Sequence, residues 1–182
     1  VLVKTGSGFL DNEWFSGARL NFAENLMRIR DDRLALVCED EYGNEDSVTF
    51  SEMFEEVRQY AAAFRKHGLT VGDRVACIMT NRKEAIFAML ATTSIGAIWS
   101  GPLPFHGSRA ISNLVRFVDP KMIIALDHFQ DEGEDYYQFD KILAAAESAP
   151  NATTVIVLAT KPKTVSCLSE IPKRYFHRPK KL

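Results

Sequence analysis

The sequence has no apolar run that approaches the roughly 18 residues a membrane-spanning helix needs, so we expect no membrane span. Its first residue is valine rather than methionine. A polar, glycine-containing stretch follows residues 1–4 at once, which does not fit a secretory signal peptide. These features predict a processed product or a piece of a longer chain.

The sequence also lacks an excess of either charge and any cluster of cysteines. It carries 22 Lys and Arg against 24 Asp and Glu, a net charge of −2, and this balance argues against a nucleic-acid partner. Cys38, Cys77 and Cys167 lie far apart, without a CxxC or Cys/His pattern. We therefore expect no zinc site and predict reduced thiols in a cytosolic protein.

A third absence concerns phosphate binding. Neither GxGxxG nor GxxxxGK[ST] occurs, and the nearest small polar cluster, at residues 6–8, is too short to cradle a nucleotide. The sequence therefore assigns no catalytic, cofactor-binding or metal-binding residue.

What the chain does contain is a regular alternation of helical and extended patterns from residue 51 onward. Helices are predicted at residues 51–67, 81–94, 110–118 and 139–149, and strands at 74–80, 95–100, 122–126 and 154–158. This order predicts an α/β fold of three layers, with a mainly parallel sheet covered by helices on both faces. Ser51 and Ser108 are predicted to cap the first and third of these helices.

The first 50 residues have weaker patterns. We interpret residues 1–14 as a loop or strap and residues 20–27 as a short helix with Leu20, Ala23, Leu26 and Met27 on one face. Residues 34–38 read as a buried strand, followed by a hairpin turn at 39–46 and a return strand at 48–50. Further along, residues 127–138 are predicted to be an acidic, aromatic surface loop.

The chain divides into three parts on composition. Residues 1–47 form an opening segment with a short helix and strand, and residues 48–160 form the α/β lobe. Residues 161–182 form a basic tail without periodicity, which we expect to be irregular. Packing against a further domain is the favoured role for the tail, and contact with nucleic acid or anionic lipid is the alternative.

Four blocks, in this order, resemble the adenylate-forming (AMP-binding) family of acyl-CoA synthetases. They are WFSGARLNFAENL at 14–26, VTFSE at 48–52, GLTVGDRV at 68–75 and AMLATTSIGAIWS at 88–100. The first and last are most similar to the acetoacetyl-CoA synthetase branch. The resemblance runs from about residue 14 to about residue 176 and implies the large amino-terminal domain of such an enzyme.

The resemblance implies a reaction in which acetoacetate attacks ATP to give an acyl-adenylate and pyrophosphate, before CoA takes the acyl group. The full-length family enzyme uses ATP, Mg²⁺ and CoA. Its Ser/Thr/Gly-rich phosphate loop, magnesium-binding acid and catalytic lysine lie further along than this sequence reaches. We therefore expect an incomplete lobe that is inactive alone and pairs with the rest of a synthetase. An acetyl- or propionyl-CoA synthetase piece and a non-catalytic binding module remain alternatives.

Two stretches depart from the branch. Residues 101–107 read GPLPFHG without the usual acidic residue, and residues 131–135 read DEGED where relatives are usually basic. Because carboxylates repel CoA phosphates, no CoA contact is assigned.

Several single residues have a plain structural interpretation beside a functional one. His106 could act in catalysis but has no evident partner, and Trp99 could line an acyl pocket or belong to the core. Arg19 could bind an anion, although an ion pair with Glu24 is the plainer interpretation. Three acidic residues could hold a metal, although a solvated loop is favoured; these are Glu132, Glu134 and Asp135.

Overall fold

The computed structural model describes residues 3–4, 6–8, 10–160 and 176–177. In chain order the strands are β1 (Val3–Lys4), β2 (Glu13–Trp14), β3 (Leu34–Glu39), β4 (Glu45–Thr49), β5 (Arg74–Ile78), β6 (Ile98–Ser100), β7 (Met122–Leu126), β8 (His128–Asp131), β9 (Glu134–Tyr137), β10 (Thr154–Leu158) and β11 (Phe176–His177). The helices are α1 (Phe22–Leu26), α2 (Phe50–Lys66), α3 (Lys83–Ser94), α4 (Ser108–Val118) and α5 (Phe139–Glu147). None of these described helices is long and apolar enough to cross a membrane.

The central feature is a five-stranded sheet with the order β11-β10-β7-β5-β6, in which every neighbouring pair is parallel. Val75 of β5 lies opposite Met122 on one side and Trp99 on the other. From β5 to β10, a helix lies in the connection between each strand of this sheet and the next along the chain, as parallel pairing requires. The prediction of a mainly parallel sheet is confirmed.

Helices cover both faces of this sheet, as predicted. Alternate residues of a strand point to opposite faces, and in β7 this places Ile124 with α2 and α3 and Ile123 with α4 and α5. All five residues of β7 are buried, which explains its unbroken apolar sequence. The sheet therefore separates two hydrophobic cores.

Helix α2 begins one residue before the predicted Ser51. The cap is Thr49, whose hydroxyl accepts the backbone N–H of Glu52, while the Glu52 carboxylate accepts the N–H of Thr49. This reciprocal capping box satisfies two N–H groups that helix geometry leaves free. Ser51 lies inside the first turn, and its hydroxyl binds Asp32 instead. The prediction of a Ser51 cap is wrong because the threonine two positions earlier offers the complete box.

Two other predicted helix starts are also corrected. The N-cap position of α4 is occupied by Gly107, which has no side chain to cap the helix, and Ser108 is the first helical residue. Helix α1 is capped by Asn21, and Leu20 lies before it with 91% of its surface exposed. Only Ala23 and Met27 of the predicted apolar face are buried.

Among the described residues, three antiparallel pairs of strands lie outside the main sheet. The β3–β4 hairpin was predicted, but its first strand is not buried, since Leu34 and Val37 are 60% and 63% exposed. Residues 127–138 form the β8–β9 hairpin rather than a surface loop, and Asp127, His128, Phe129 and Gln138 are buried there. β1 and β2 pair within the predicted opening strap. Apart from β11, the predicted tail lies outside the described residues.

Candidate functional site

A cleft of about 610 Å³ lies above the carboxyl ends of the parallel strands. Loops leaving neighbouring parallel strands meet at this edge, where ligands bind in open α/β sheets. The lining residues come from the ends of β5, β6 and β10 and from two hairpins: Glu39, Asp40, Glu41, Tyr42, Thr80, Asn81, Arg82, Leu103, Phe105, His128, Phe129, Gln130, Asp131 and Thr160.

One wall of the cleft is the turn between β3 and β4. The Asp40 carboxylate accepts the backbone N–H groups of Tyr42 and Asn44, each at 2.9 Å, and the side-chain amide of Asn44 at 2.8 Å. The Asn44 side chain, followed by its backbone, lowers the pKa of Asp40. This turn is therefore held by a carboxylate that stays ionised.

The opposite wall is the β8–β9 hairpin, whose two-residue turn is Glu132–Gly133 between the paired residues Asp131 and Glu134. Both turn residues have positive φ, 51° and 80°, which is typical of the tight turns that match strand twist. Their N–H groups bind the carboxylate of Glu41 from the other wall.

His128 lies at the floor of the cleft in a polar network. Its Nε2 is 2.7 Å from Asp135 Oδ1, and its Nδ1 is 3.4 Å from Thr160 Oγ1. The hydroxyl of Thr160, the imidazole of His128 and the carboxylate of Asp135 are thus arranged like the three groups of a nucleophilic triad. However, the Thr160 hydroxyl donates to Asp127 Oδ1 at 2.8 Å, and the Thr160 backbone N–H donates to the same oxygen at 2.9 Å. A nucleophile needs its proton directed at the base. The network therefore fastens the end of β10 to the hairpin.

A second cavity of about 500 Å³ adjoins the cleft and is mainly apolar. Trp99 lines this cavity and also packs against the hydrophobic core. It is therefore a core residue with one side on a cavity, and no ligand is assigned to that cavity. Cys77 also lines it. Burial raises the pKa of the Cys77 thiol to about 12, which keeps it protonated and unreactive near neutral pH.

The proline-containing loop at residues 101–107 is held by Lys141. Its Nζ donates to the carbonyl of Pro104 at 2.8 Å, and burial lowers the pKa of this amine. Leu103 and Phe105 from the loop line the cleft, and the Phe105 ring packs edge-on against Phe129 at 4.9 Å. His106 is exposed and does not line the cleft.

The other single-residue expectations have mixed outcomes. Arg19 donates to the carbonyl of Ala18 and does not form the expected ion pair with Glu24. Asp135, expected in a solvated acidic loop, binds His128. Within the described part of the chain, no group of three or more His, Cys, Asp or Glu side chains is arranged to hold a metal ion.

Sequence reasoning missed the residues that follow the parallel strands. Thr80, Asn81 and Arg82 follow β5, and Thr160 follows β10. Polar residues directly after a buried strand were a signal that could have placed them at the carboxyl edge. Arg82 brings a cation to the cleft and forms an ion pair with Glu84 at 3.1 Å.

The chain matches the family model described as AMP-binding enzyme over residues 22–180. It is 37% identical over 181 residues to an acetoacetyl-CoA synthetase of Gallus gallus, covering 96% of this chain and 27% of that protein. An acetoacetyl-coenzyme A synthetase of Rhizobium meliloti (strain 1021) is 38% identical over 156 residues, covering 84% of this chain and 23% of that protein.

A solved acetoacetyl-CoA synthetase from Streptomyces lividans has a similar fold. The TM-score is 0.75 at 33% identity, covering 80% of this chain and 23% of that chain. This chain therefore spans about a quarter of the length of the proteins it matches.

Proposed function

Because this chain belongs to the family of AMP-binding enzymes, we propose that it forms the amino-terminal part of an ATP-dependent acetoacetate–CoA ligase. The reaction would convert acetoacetate, ATP and CoA into acetoacetyl-CoA, AMP and pyrophosphate. The observation that carries the proposal is the 37% identity to an acetoacetyl-CoA synthetase over 96% of the chain.

In this proposal the chain supplies a scaffold and leaves phosphate chemistry to other parts of the enzyme. Acidic side chains dominate the mouth of the described cleft, and the guanidinium of Arg82 is paired with Glu84. Such a surface repels the phosphates of ATP and CoA. The described cleft does not fit the phosphates of either molecule, and no cluster of ligands for a metal ion occurs among the described residues, so no step of the reaction is assigned to them.

The first test uses the chain by itself. With ATP, Mg²⁺, CoA and acetoacetate, we expect no pyrophosphate release above a protein-free control, because the sequence has no phosphate-binding loop. Acetate and propionate are tested in parallel as the rival acids. Clear turnover with any acid would contradict the proposal that this chain is a scaffold.

The second test asks whether the chain can serve as the first part of a working ligase. It replaces the matching segment of the Gallus gallus enzyme, and AMP release is measured with acetoacetate. We expect activity within about tenfold of the parent. The matched control is the corresponding segment of the Rhizobium meliloti enzyme in the same host. If the control is active and the chimaera of this chain is inactive, the result would favour a non-catalytic binding module. If the chimaera prefers acetate or propionate, the result would favour a piece of an acetyl- or propionyl-CoA synthetase.

The organisation of the whole protein follows from the same proposal. Residues 1–47 serve as an opening segment, residues 48–160 as part of the AMP-binding lobe and residues 161–182 as a basic connection to the rest of the synthetase. The proposed compartment is the cytosol, in keeping with the free thiols of Cys38 and Cys77.

A further inference from the structure

The two hairpins that wall the cleft meet at their tips. Glu41, in the β3–β4 turn, accepts the backbone N–H of Glu132 at 3.1 Å through Oε1 and that of Gly133 at 3.3 Å through Oε2. The positive φ angles of both turn residues direct successive N–H groups to the same side, which makes a concave site for an anion. One carboxylate therefore joins two parts of the chain that lie 91 positions apart.

The charges around this contact oppose it. Asp40 flanks Glu41 on its own turn, and Asp131, Glu132 and Glu134 surround the two donors. Like charges at an exposed surface repel one another, although salt screens them. The contact therefore depends on the two hydrogen bonds, and it is weak enough to open under native conditions.

Two buried residues of the same cleft give the contact a consequence. His128 and Phe129 form the floor of the cleft and are only 5% exposed, although both belong to the hairpin whose tip Glu41 holds. We propose that Glu41 is a latch that holds the β8–β9 hairpin against the β3–β4 turn, so that its release opens the cleft and uncovers this floor. The latch is a property of this chain alone and does not depend on the proposed ligase.

Hydrogen exchange of the two donor amides tests the contact. In the Glu41→Ala variant, we expect exchange at Glu132 and Gly133 to accelerate about tenfold, while amides of β5 and β7 keep their rates. Glu41→Gln retains one acceptor oxygen, so its exchange rates at Glu132 and Gly133 should lie between those of the parent chain and those of Glu41→Ala. The matched control is Glu132→Gln, which removes a charge at the same place but leaves both N–H groups and their acceptor. Because Glu132 carries one of the like charges that oppose the contact, its two donor amides should exchange no faster in this variant than in the parent chain.

Site-resolved modification of histidines by diethyl pyrocarbonate tests the opening. Glu41→Ala should raise the modification rate of His128 several-fold and leave that of the exposed His106 unchanged. Unchanged rates for both the donor amides and His128 in Glu41→Ala would overturn the proposal. Equal acceleration in Glu132→Gln would also overturn it, because charge rather than the hydrogen-bonded contact would then control the opening.

Discussion

At the scale of single residues, Asp73 joins two parts of the chain. Its Oδ2 accepts the backbone N–H and hydroxyl of Thr70 at 2.7 and 2.8 Å and the amine of Lys121 at 2.8 Å. That amine also binds the carbonyl of Gly68, where helix α2 has ended with a φ of 83°. The network secures the α2–β5 turn to the residue just before β7.

The protonation of Asp73 should therefore affect stability. Burial alone would raise its pKa, but the hydrogen bonds from Lys121 and Thr70 outweigh burial and lower it. A lowered pKa in the folded state stabilises the fold above the unfolded value of about 3.9, and that contribution disappears as the pH falls through the folded pKa. We expect Asp73→Asn to lower the free energy of unfolding by about 1–2 kcal/mol at pH 7.

Urea unfolding at pH 7 and at about pH 3 checks this expectation, because the difference between Asp73→Asn and the parent chain should shrink in acid. Glu147→Gln is the control, since it neutralises an exposed carboxylate on α5. It should leave stability within about 0.5 kcal/mol. A constant Asp73→Asn deficit at both pH values would contradict the role given to the ionised carboxylate.

Cys77 gives a second residue-scale prediction. The thiolate is the form that reacts with alkylating agents, and burial raises the pKa of Cys77 to about 12. In the folded chain at pH 8, iodoacetamide should modify the half-buried Cys38 well before Cys77, as measured by peptide mass spectrometry. Unfolding in urea should abolish the difference. Rapid labelling of Cys77 in the folded chain would contradict this expectation and show that the second cavity, which Cys77 lines, admits the reagent.

At the scale of elements, the capping of α2 and α4 can be compared directly. Thr49 closes a full capping box, whereas Ser108, at the start of α4, makes no capping bond. Thr49→Ala should lower the free energy of unfolding by about 1 kcal/mol. Ser108→Ala should change it by less than about 0.5 kcal/mol. Equal losses in the two variants, measured by urea unfolding, would mean that Ser108 caps its helix as the sequence predicts.

The periodic elements could be predicted from the sequence, whereas a short hairpin with an acidic turn could not. The strands β5, β7 and β10 are short apolar runs that each follow a helix, so local pattern determined them. The β8–β9 hairpin depends on pairs within residues 128–137, including stacking of Phe129 on Tyr136 at 5.2 Å. Its acidic turn has the composition of a loop, and composition gives no information on which side chains such contacts bury.

The β3 strand shows the opposite error. An apolar run such as residues 34–38 is typical of a strand buried on both faces, yet β3 pairs only with β4 among the described residues. Leu34 and Val37 consequently lie on the surface of the described structure. Local sequence predicts that a strand forms there, but its burial depends on what packs against it.

At the scale of the whole molecule, the candidate cleft is a product of topology. Its rim comes from the residues that follow β5, β6 and β10, and its walls and floor come from the β3–β4 and β8–β9 hairpins, which lie far apart in the sequence. Sequence analysis assigned no site residue. Arg82 and Thr160 could have been assigned to the cleft, because they follow buried parallel strands and ligands bind at the carboxyl ends of such strands. The relative position of the two hairpins, in contrast, follows from long-range contacts that no local pattern encodes.

The shared sheet also predicts how the molecule unfolds. Ile123 and Ile124 are adjacent in β7, are 0% and 4% exposed, and belong to the two different cores. Replacing either by alanine removes buried methyl groups and should lower the free energy of unfolding by about 2–5 kcal/mol. Since both cores are built on the same strands, each variant should still unfold in one cooperative transition, followed by circular dichroism and tryptophan fluorescence in urea.

Phe117 provides the control for this comparison. It lies on α4, which covers one of the two cores, but 89% of its surface is exposed. Phe117→Ala should therefore change stability by less than about 0.5 kcal/mol. If Ile123→Ala separated the two optical transitions while Ile124→Ala did not, the α4–α5 face would unfold on its own. The sheet would then fail to couple the two cores, and the cleft above it would rest on two units of unequal stability.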